Sequence, residues 1–266
     1  LCGLRDVEQL TRLGIAADLK EATKDRRMSR SFEELDWRLT PIGTLSLRRR
    51  KDLSTGIDIF EIKLGDEFLM SSLFTAAEVE LARLGLAATP DAELDVVVGG
   101  LGLGYTACAV LDDPRVRSLV VIDALPEVIE WHERGLLPLG ARLTADPRCR
   151  LICGDFFATF GPSAQPLEAA FPDRRFHAIL VDIDHSPREV LAPANAALYA
   201  PAGLRQLTSH LLPEGVFALW SNAPPDEEFV AALSDVFPTV QSHVIHFPNP
   251  LQSREATNTV YVATTT

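Results

Sequence analysis

The residues best placed to do chemistry surround one short segment, Asp95-Val96-Val97-Val98-Gly99-Gly100-Leu101-Gly102-Leu103-Gly104-Tyr105-Thr106. Its apolar run reads as a buried strand, its glycines as a turn, and the residues from Tyr105 onward as a helix. Gly100, Gly102 and Gly104 remove side chains where a ligand would touch backbone, and a helix start offers unpaired N–H groups, so the segment predicts a nucleotide-type ligand. Asp123 ends the next apolar run, Leu119-Val120-Val121-Ile122-Asp123, 19 residues beyond Gly104. A carboxylate there can accept hydrogen bonds from both hydroxyls of an adenosine ribose.

Two ligands share this pattern. Gly102-Leu103-Gly104-Tyr105-Thr106-Ala107 fits the GxGxxA form of the NAD fingerprint, and Gly100-x-Gly102-x-Gly104 fits the GxGxG turn of adenosylmethionine enzymes. The loop alone does not choose between them. Further along, Asp155 comes directly after a third apolar run in Leu151-Ile152-Cys153-Gly154-Asp155-Phe156-Phe157. It can accept from an adenine amino group while Phe156 covers the ring. Asp182 ends a fourth run, Phe176-His177-Ala178-Ile179-Leu180-Val181-Asp182, and is expected at the same crevice outside the carboxyl ends of the strands.

The framework that carries these residues is set by the period of the apolar positions. Strand-like runs at Leu94–Val98, Ser118–Ile122, Cys149–Cys153, Ala178–Val181 and Val216–Trp220 are separated by segments long enough for crossover helices. That alternation predicts an α/β, Rossmann-like, doubly wound, mostly parallel sheet. Thr239–Phe247 and Asn258–Ala263 are joined without an obvious helix, which predicts a C-terminal antiparallel hairpin added to the sheet. Ahead of it, Thr75 to Leu86 reads as a helix with Thr75 and Glu78 as a capping box. Residues 40–72 favour alternation, with Thr55-Gly56 and Gly65-Asp66 as turns, and predict a small antiparallel β unit. Val7 to Met28 reads as a polar helix. The expected division is therefore a helical segment over 1–39, a β unit over 40–74 and the Rossmann-like domain over 75–266.

With these elements in place, the stretch from about Leu39 to Ala263 resembles the spermidine synthase branch of the class I adenosylmethionine-dependent transferases. The family's GGGDGGT loop matches Gly100-Leu101-Gly102-Leu103-Gly104-Tyr105-Thr106, and its VEID followed by VIE matches Ile122-Asp123-Ala124-Leu125 before Val128-Ile129-Glu130. Its third-strand GDA matches Gly154-Asp155-Phe156, and its YDVIIVD matches Phe176 to Asp182. The resemblance implies S-adenosylmethionine or its decarboxylated form as cofactor. It implies that Gly100, Leu101, Gly102, Gly104, Asp123, Ala124, Asp155, Phe156 and Asp182 bind it, and that the protein is a homodimer. There are departures. The family's Asp-x-x-Asp-Pro stretch is here Asp182-Ile183-Asp184-His185-Ser186-Pro187, its loop Asp is Leu103, and its Tyr-His-Glu segment is replaced by Phe74-Thr75-Ala76-Ala77-Glu78. A dicationic polyamine needs acids at both ends, so these losses favour methyl over aminopropyl transfer to a small-molecule acceptor, an amine in the first instance. Asp182 is the expected proton acceptor or orienter. His185 can share that task because its unperturbed pKa lies near neutrality. The long Ala- and Pro-rich stretch Ser186–Pro201 is expected to shape the acceptor pocket.

Composition bounds the partners. The 266 residues carry 25 Lys and Arg against 37 Asp and Glu, a net charge of −12, which disfavours a phosphate backbone as partner. No apolar run approaches the roughly 18–20 residues of a membrane-spanning helix. Four scattered cysteines give neither a disulfide framework nor a zinc ribbon, and the charged first 31 residues do not form a signal-peptide core, so a cytoplasmic location is expected. Arg48-Arg49-Arg50-Lys51 reads as a solvated turn, and His243 and His246, three apart on one strand, make a poor metal pair.

Overall fold

The computed structural model describes residues 32–53, 55–162 and 174–266, and the helix expected over Val7–Met28 lies outside them. The chain divides into two compact units at Leu73/Phe74. In the first, β1 (Phe32–Thr40), β2 (Gly43–Lys51), β3 (Asp58–Leu64) and β4 (Glu67–Ser71) form an antiparallel meander in chain order. Leu45, Leu47, Ile59 and Ile62 are its buried apolar residues on β2 and β3. β1 occupies positions that the sequence pattern assigns to a helical segment ending at residue 39. The reason is cross-strand pairing. Glu34 meets Arg48 at 3.6 Å, Glu33 pairs with Arg49, and a register shift between Glu34 and Asp36 breaks the alternation that marks a strand in sequence. Arg50 pairs with Glu61 at 2.8 Å and Lys51 with Asp58 at 3.3 Å, so the basic run is matched carboxylate by carboxylate.

The second unit is a seven-stranded sheet in the order β10-β11-β9-β8-β5-β6-β7. Its strands are β5 (Leu94–Gly99), β6 (Val116–Asp123), β7 (Cys149–Cys153), β8 (Phe176–Val181), β9 (Leu211–Ser221), β10 (Thr239–Asn249) and β11 (Arg254–Thr264). The first five run parallel, and β10 and β11 form the antiparallel hairpin that pairs with β9. All seven runs expected from sequence are strands. The connections go in opposite directions from β5, to β6 on one side and eventually to β8 on the other, which opens a crevice at their carboxyl ends.

Side-chain parity explains the layers. Val97, Val120, Ile122, Ile179, Val181, Phe217 and Leu219 point to one face, where they pack with α5 (Phe156–Phe160), α6 (Ala196–Tyr199), α7 (Pro201–Thr208) and α8 (Glu227–Ser234). Their neighbours Val96, Val98, Leu180 and Ala218 are equally buried on the opposite face. There α1 (Ala76–Ala87) approaches so closely that a Cβ on Gly85 would lie 2.6 Å from the Leu180 side chain. α2 (Tyr105–Asp112), α3 (Pro126–Glu133) and α4 (Gly140–Ala145) complete the second unit.

Two copies of an Asp-Pro-Arg turn lead into β6 and β7. Asp113 accepts from the backbone N–H and Nε of Arg115, whose guanidinium donates onward to the Leu86 carbonyl at 2.9 Å, in the last turn of α1. Asp146 and Arg148 repeat the arrangement, with Arg148 donating to the Leu111 carbonyl of α2 at 2.9 Å. Each pair satisfies carbonyls that a helix end leaves open. The guanidinium holds each Asp carboxyl below the usual range. An Arg148→Ala variant is expected to lose about 1–3 kcal/mol of unfolding free energy in urea titration, the scale of hydrogen bonds from a charged donor. An unchanged midpoint would refute the role.

Candidate functional site

The site is built where β5 ends. Asp182 N donates to the Gly99 carbonyl at 2.8 Å and Gly100 N to the Ile122 carbonyl at 2.9 Å, tying together the exits of β8, β5 and β6. Gly100 has φ +94°, and a Cβ there would stand 2.1 Å from the Asp182 carbonyl oxygen. Only glycine fits that crossing. Gly102 and Gly104 also have positive φ, 47° and 90°, a conformation that favours glycine, and a Cβ on Gly104 would stand 2.7 Å from the Leu143 side chain and 2.9 Å from that of His132. Gly104 N-caps α2. Leu101 and Leu103 are buried, which anchors the loop to the unit beneath it.

Asp123 lies at the end of β6, half-buried beside the loop. Its Oδ2 accepts from Leu101 N at 2.9 Å and its Oδ1 from Leu125 N at 2.8 Å. Burial raises its pKa, opposed by hydrogen bonds from the Leu125, Leu101 and Gly102 amides. Asp123 therefore fixes the loop's conformation and keeps lone pairs at the crevice. Ala124, next to it, is exposed. From below, the fully buried His132 of α3 places Nε2 2.9 Å from the Gly102 carbonyl, while burial lowers its pKa. The neutral ring donates this hydrogen bond. In sequence Trp131 and His132 read as packing and surface; Trp131 is indeed core, and His132 is the loop's support.

Asp155 is exposed at the end of β7 and N-caps α5, accepting from Ala158 N at 3.0 Å. Phe156 takes a different place from that expected of a ring over a ligand. It is 2% exposed, packed against Phe160 at 4.7 Å between centroids, with Gly99 directly under its ring. Its ring faces are consumed by the core, because the N-cap at Asp155 turns α5 inward.

At the other side of the crevice Thr106 Oγ1 lies against both Asp182 and the Glu78 backbone, and the Asp182 charge acts on Glu78. Asp182 Oδ2 accepts from Thr106 Oγ1 at 2.6 Å, and burial pushes its carboxyl up to about 6. Glu78, on the first turn of α1, is buried; desolvation first and the Asp182 charge second push it up to about 8. The capping box expected of Thr75 and Glu78 does not form: Thr75 makes no side-chain cap bond, and the charge that acts on Glu78 is that of Asp182. A Glu three residues past a Thr reads as a cap in sequence, and nothing local reveals that its partner is 104 residues away.

His185 is half-buried in the loop after β8, and its carbonyl accepts from Asn222 N at 2.7 Å. Between them Asp184, 1% exposed, accepts from Leu191 N at 2.7 Å, Asn195 Nδ2 at 2.9 Å and Tyr199 Oη at 2.8 Å. It folds the stretch after β8 onto α6, and its carboxylate is wholly committed. Its three donors lie 7, 11 and 15 residues further along the chain, which hides this role in sequence. Among the described residues no group of three metal-ligating side chains comes together.

This arrangement is a Rossmann-like α/β crevice with a glycine loop at the strand-order reversal. The same fold is found in spermidine synthases. The crystal structure of spermidine synthase from Thermotoga maritima superposes with a TM-score of 0.65 at 16% identity, over 88% of this chain and 72% of that one. A spermidine synthase in complex with the transition state analogue AdoDATO gives 0.65 at 17% identity, over 88% and 74%. No family model matches the sequence.

Two outcomes check the site. Gly100→Ala is expected to cost at least about 1–3 kcal/mol in a denaturant titration, from positive φ and the backbone collision together. Glu78 carries a folded-state carboxyl raised from 4.5 to about 8, so its contribution to stability is complete below 4.5 and declines as pH rises to about 8. Thermal melts of Glu78→Gln should therefore show a gain over the wild type that grows from about pH 5 to about pH 8; a constant difference would contradict the burial argument.

Proposed function

We propose that the protein is an S-adenosylmethionine-dependent transferase acting on a small amine, with methyl transfer as the leading reaction. The observation that carries this reading is the convergence of a glycine loop held at positive φ, the Asp123 carboxylate and the half-buried Asp182 at one strand-order reversal. The residues fit the cofactor. Gly100 lets the chain cross without a side chain, Asp123 offers acceptors for ribose hydroxyls, and Asp155 stands exposed at the next strand end for an adenine amino group. When bound, the sulfonium supplies an activated carbon and leaving group.

What remains for the chain is orientation and proton management. An ammonium has no lone pair, so the acceptor must lose a proton before it attacks, and a carboxyl raised to about 6 is a competent acceptor near neutrality. Thr106 holds that carboxyl in one orientation. The lean toward methyl transfer rests on the missing second acid. His185 stands where the family has Asp, and neighbouring Asp184 cannot substitute, because Leu191, Asn195 and Tyr199 occupy its oxygens. Aminopropyl transfer is the second reading, favoured by the shared fold with spermidine synthases.

The first test is binding. Adenosylhomocysteine is expected to raise the melting temperature, and Asp123→Ala to weaken that binding by about tenfold or more, since a hydrogen bond to a charged acceptor contributes about 1.5–3 kcal/mol. Stabilisation by NADH and none by adenosylhomocysteine would instead support an NAD-binding oxidoreductase. Release of methylthioadenosine from decarboxylated adenosylmethionine and putrescine would replace methyl by aminopropyl transfer.

A further inference from the structure

We propose that Glu78 is a binding residue of this site, forming with Asp182 a two-carboxyl seat for the ammonium end of the acceptor. The inference rests on the transferase reading for the acceptor's identity, but its geometry stands by itself. Glu78 is 8% exposed. Among the described residues, no hydrogen bond or ion pair engages its carboxyl oxygens, and those oxygens are not among the fully enclosed polar atoms that lack partners. The side chain is thus more than nine-tenths buried without a cation or donor of its own among the described residues. Asp182 has one oxygen bound by Thr106 Oγ1 at 2.6 Å, and that hydroxyl also lies 3.4 Å from the Glu78 carbonyl, so Thr106 links the two.

An acid pair without a cation is an unusual thing to bury. Carboxylates removed from water are normally matched by Lys, Arg or a metal, and this pair has no such partner among the described residues. Elsewhere in the unit such acids are matched, by a guanidinium for Asp95, Asp113 and Asp226, or by three neutral donors for the buried Asp184. With no third ligating side chain, the pair suits a hydrogen-bonding cation better than a coordinated metal. A primary ammonium brings three donors and one positive charge.

Binding of such a cation moves a proton. The charged group facing Glu78 is Asp182, and the polar group facing Asp182 besides Glu78 is the neutral Thr106 hydroxyl. Burial raises both carboxyls, and the Asp182 charge raises Glu78 further, so the pair retains a proton at a higher pH than free carboxyls do. An ammonium favours the doubly ionised pair and on binding sends that proton to solvent. An alkylamine stays protonated up to about pH 10, so its affinity must rise with pH through the range in which the pair ionises.

The test uses butylammonium chloride as probe in thermal-shift titrations of the whole chain, without any adenosyl ligand, against matched potassium chloride and against butanol. The wild type should gain stability from butylammonium, more at about pH 8.5 than at about pH 6, and nothing from butanol. In Glu78→Gln the gain should fall to the potassium chloride level while stabilisation by adenosylhomocysteine persists. An equal gain at both pH values, or an undiminished gain in Glu78→Gln, overturns the proposal. Should the variant fail to fold, the wild-type pH dependence alone decides. A response to butylammonium with none to adenosylhomocysteine would leave the seat standing and remove the transferase reading.

Discussion

The backbone crossing of Gly100 and Asp182 is the constraint on which the site depends. Two strand exits meet there at less than a side chain's width, held by the Asp182 N–H on the Gly99 carbonyl. Because the crossing leaves no slack, the Asp182 carboxyl has a fixed origin, and Thr106 from the start of α2 fixes its direction. The loop that supplies α2 is itself held from both sides, by Asp123 at its amides and by His132 at a carbonyl. Such a loop needs no ligand to acquire its shape, and a preformed site loses little entropy on binding.

Carboxylates do three separate jobs within a short radius, and their surroundings sort them. Asp184 is spent on three donors and serves as a fastener for the chain after β8. Asp123 divides itself between loop amides and the crevice. Glu78 and Asp182 are the costly ones, since among the described residues their burial is answered neither by a cation nor by a full set of donors. A net charge of −12 says nothing about this sorting. It arises from where each acid sits.

How far the sequence can be read depends on whether a signal is local. The glycine loop, Asp123 and Asp182 are legible because a strand end and a turn are written in contiguous residues, and all seven strands of the large sheet carry apolar runs bounded by breakers. What escapes is set by distant partners. Glu78 imitates a capping box, and its actual neighbour lies across the fold. β1 is too charged to look like a strand until Arg48 and Arg49 are placed opposite its glutamates. Phe156 looks like a ring for a ligand because its motif position is right, yet the turn of α5 commits it to the core.

The paired Asp-Pro-Arg turns have a consequence for how the protein opens. Each guanidinium grips the last carbonyls of a helix and is itself gripped at the entrance of a strand, so α1 is fastened to the start of β6 and α2 to the start of β7. A helix end ordinarily frays alone, exchanging its amide hydrogens without disturbing its neighbours. Here fraying at either end must also unseat the adjoining strand, so these elements exchange together as one cooperative block. That block contains the glycine loop, and the edge hairpin β10–β11 lies outside it.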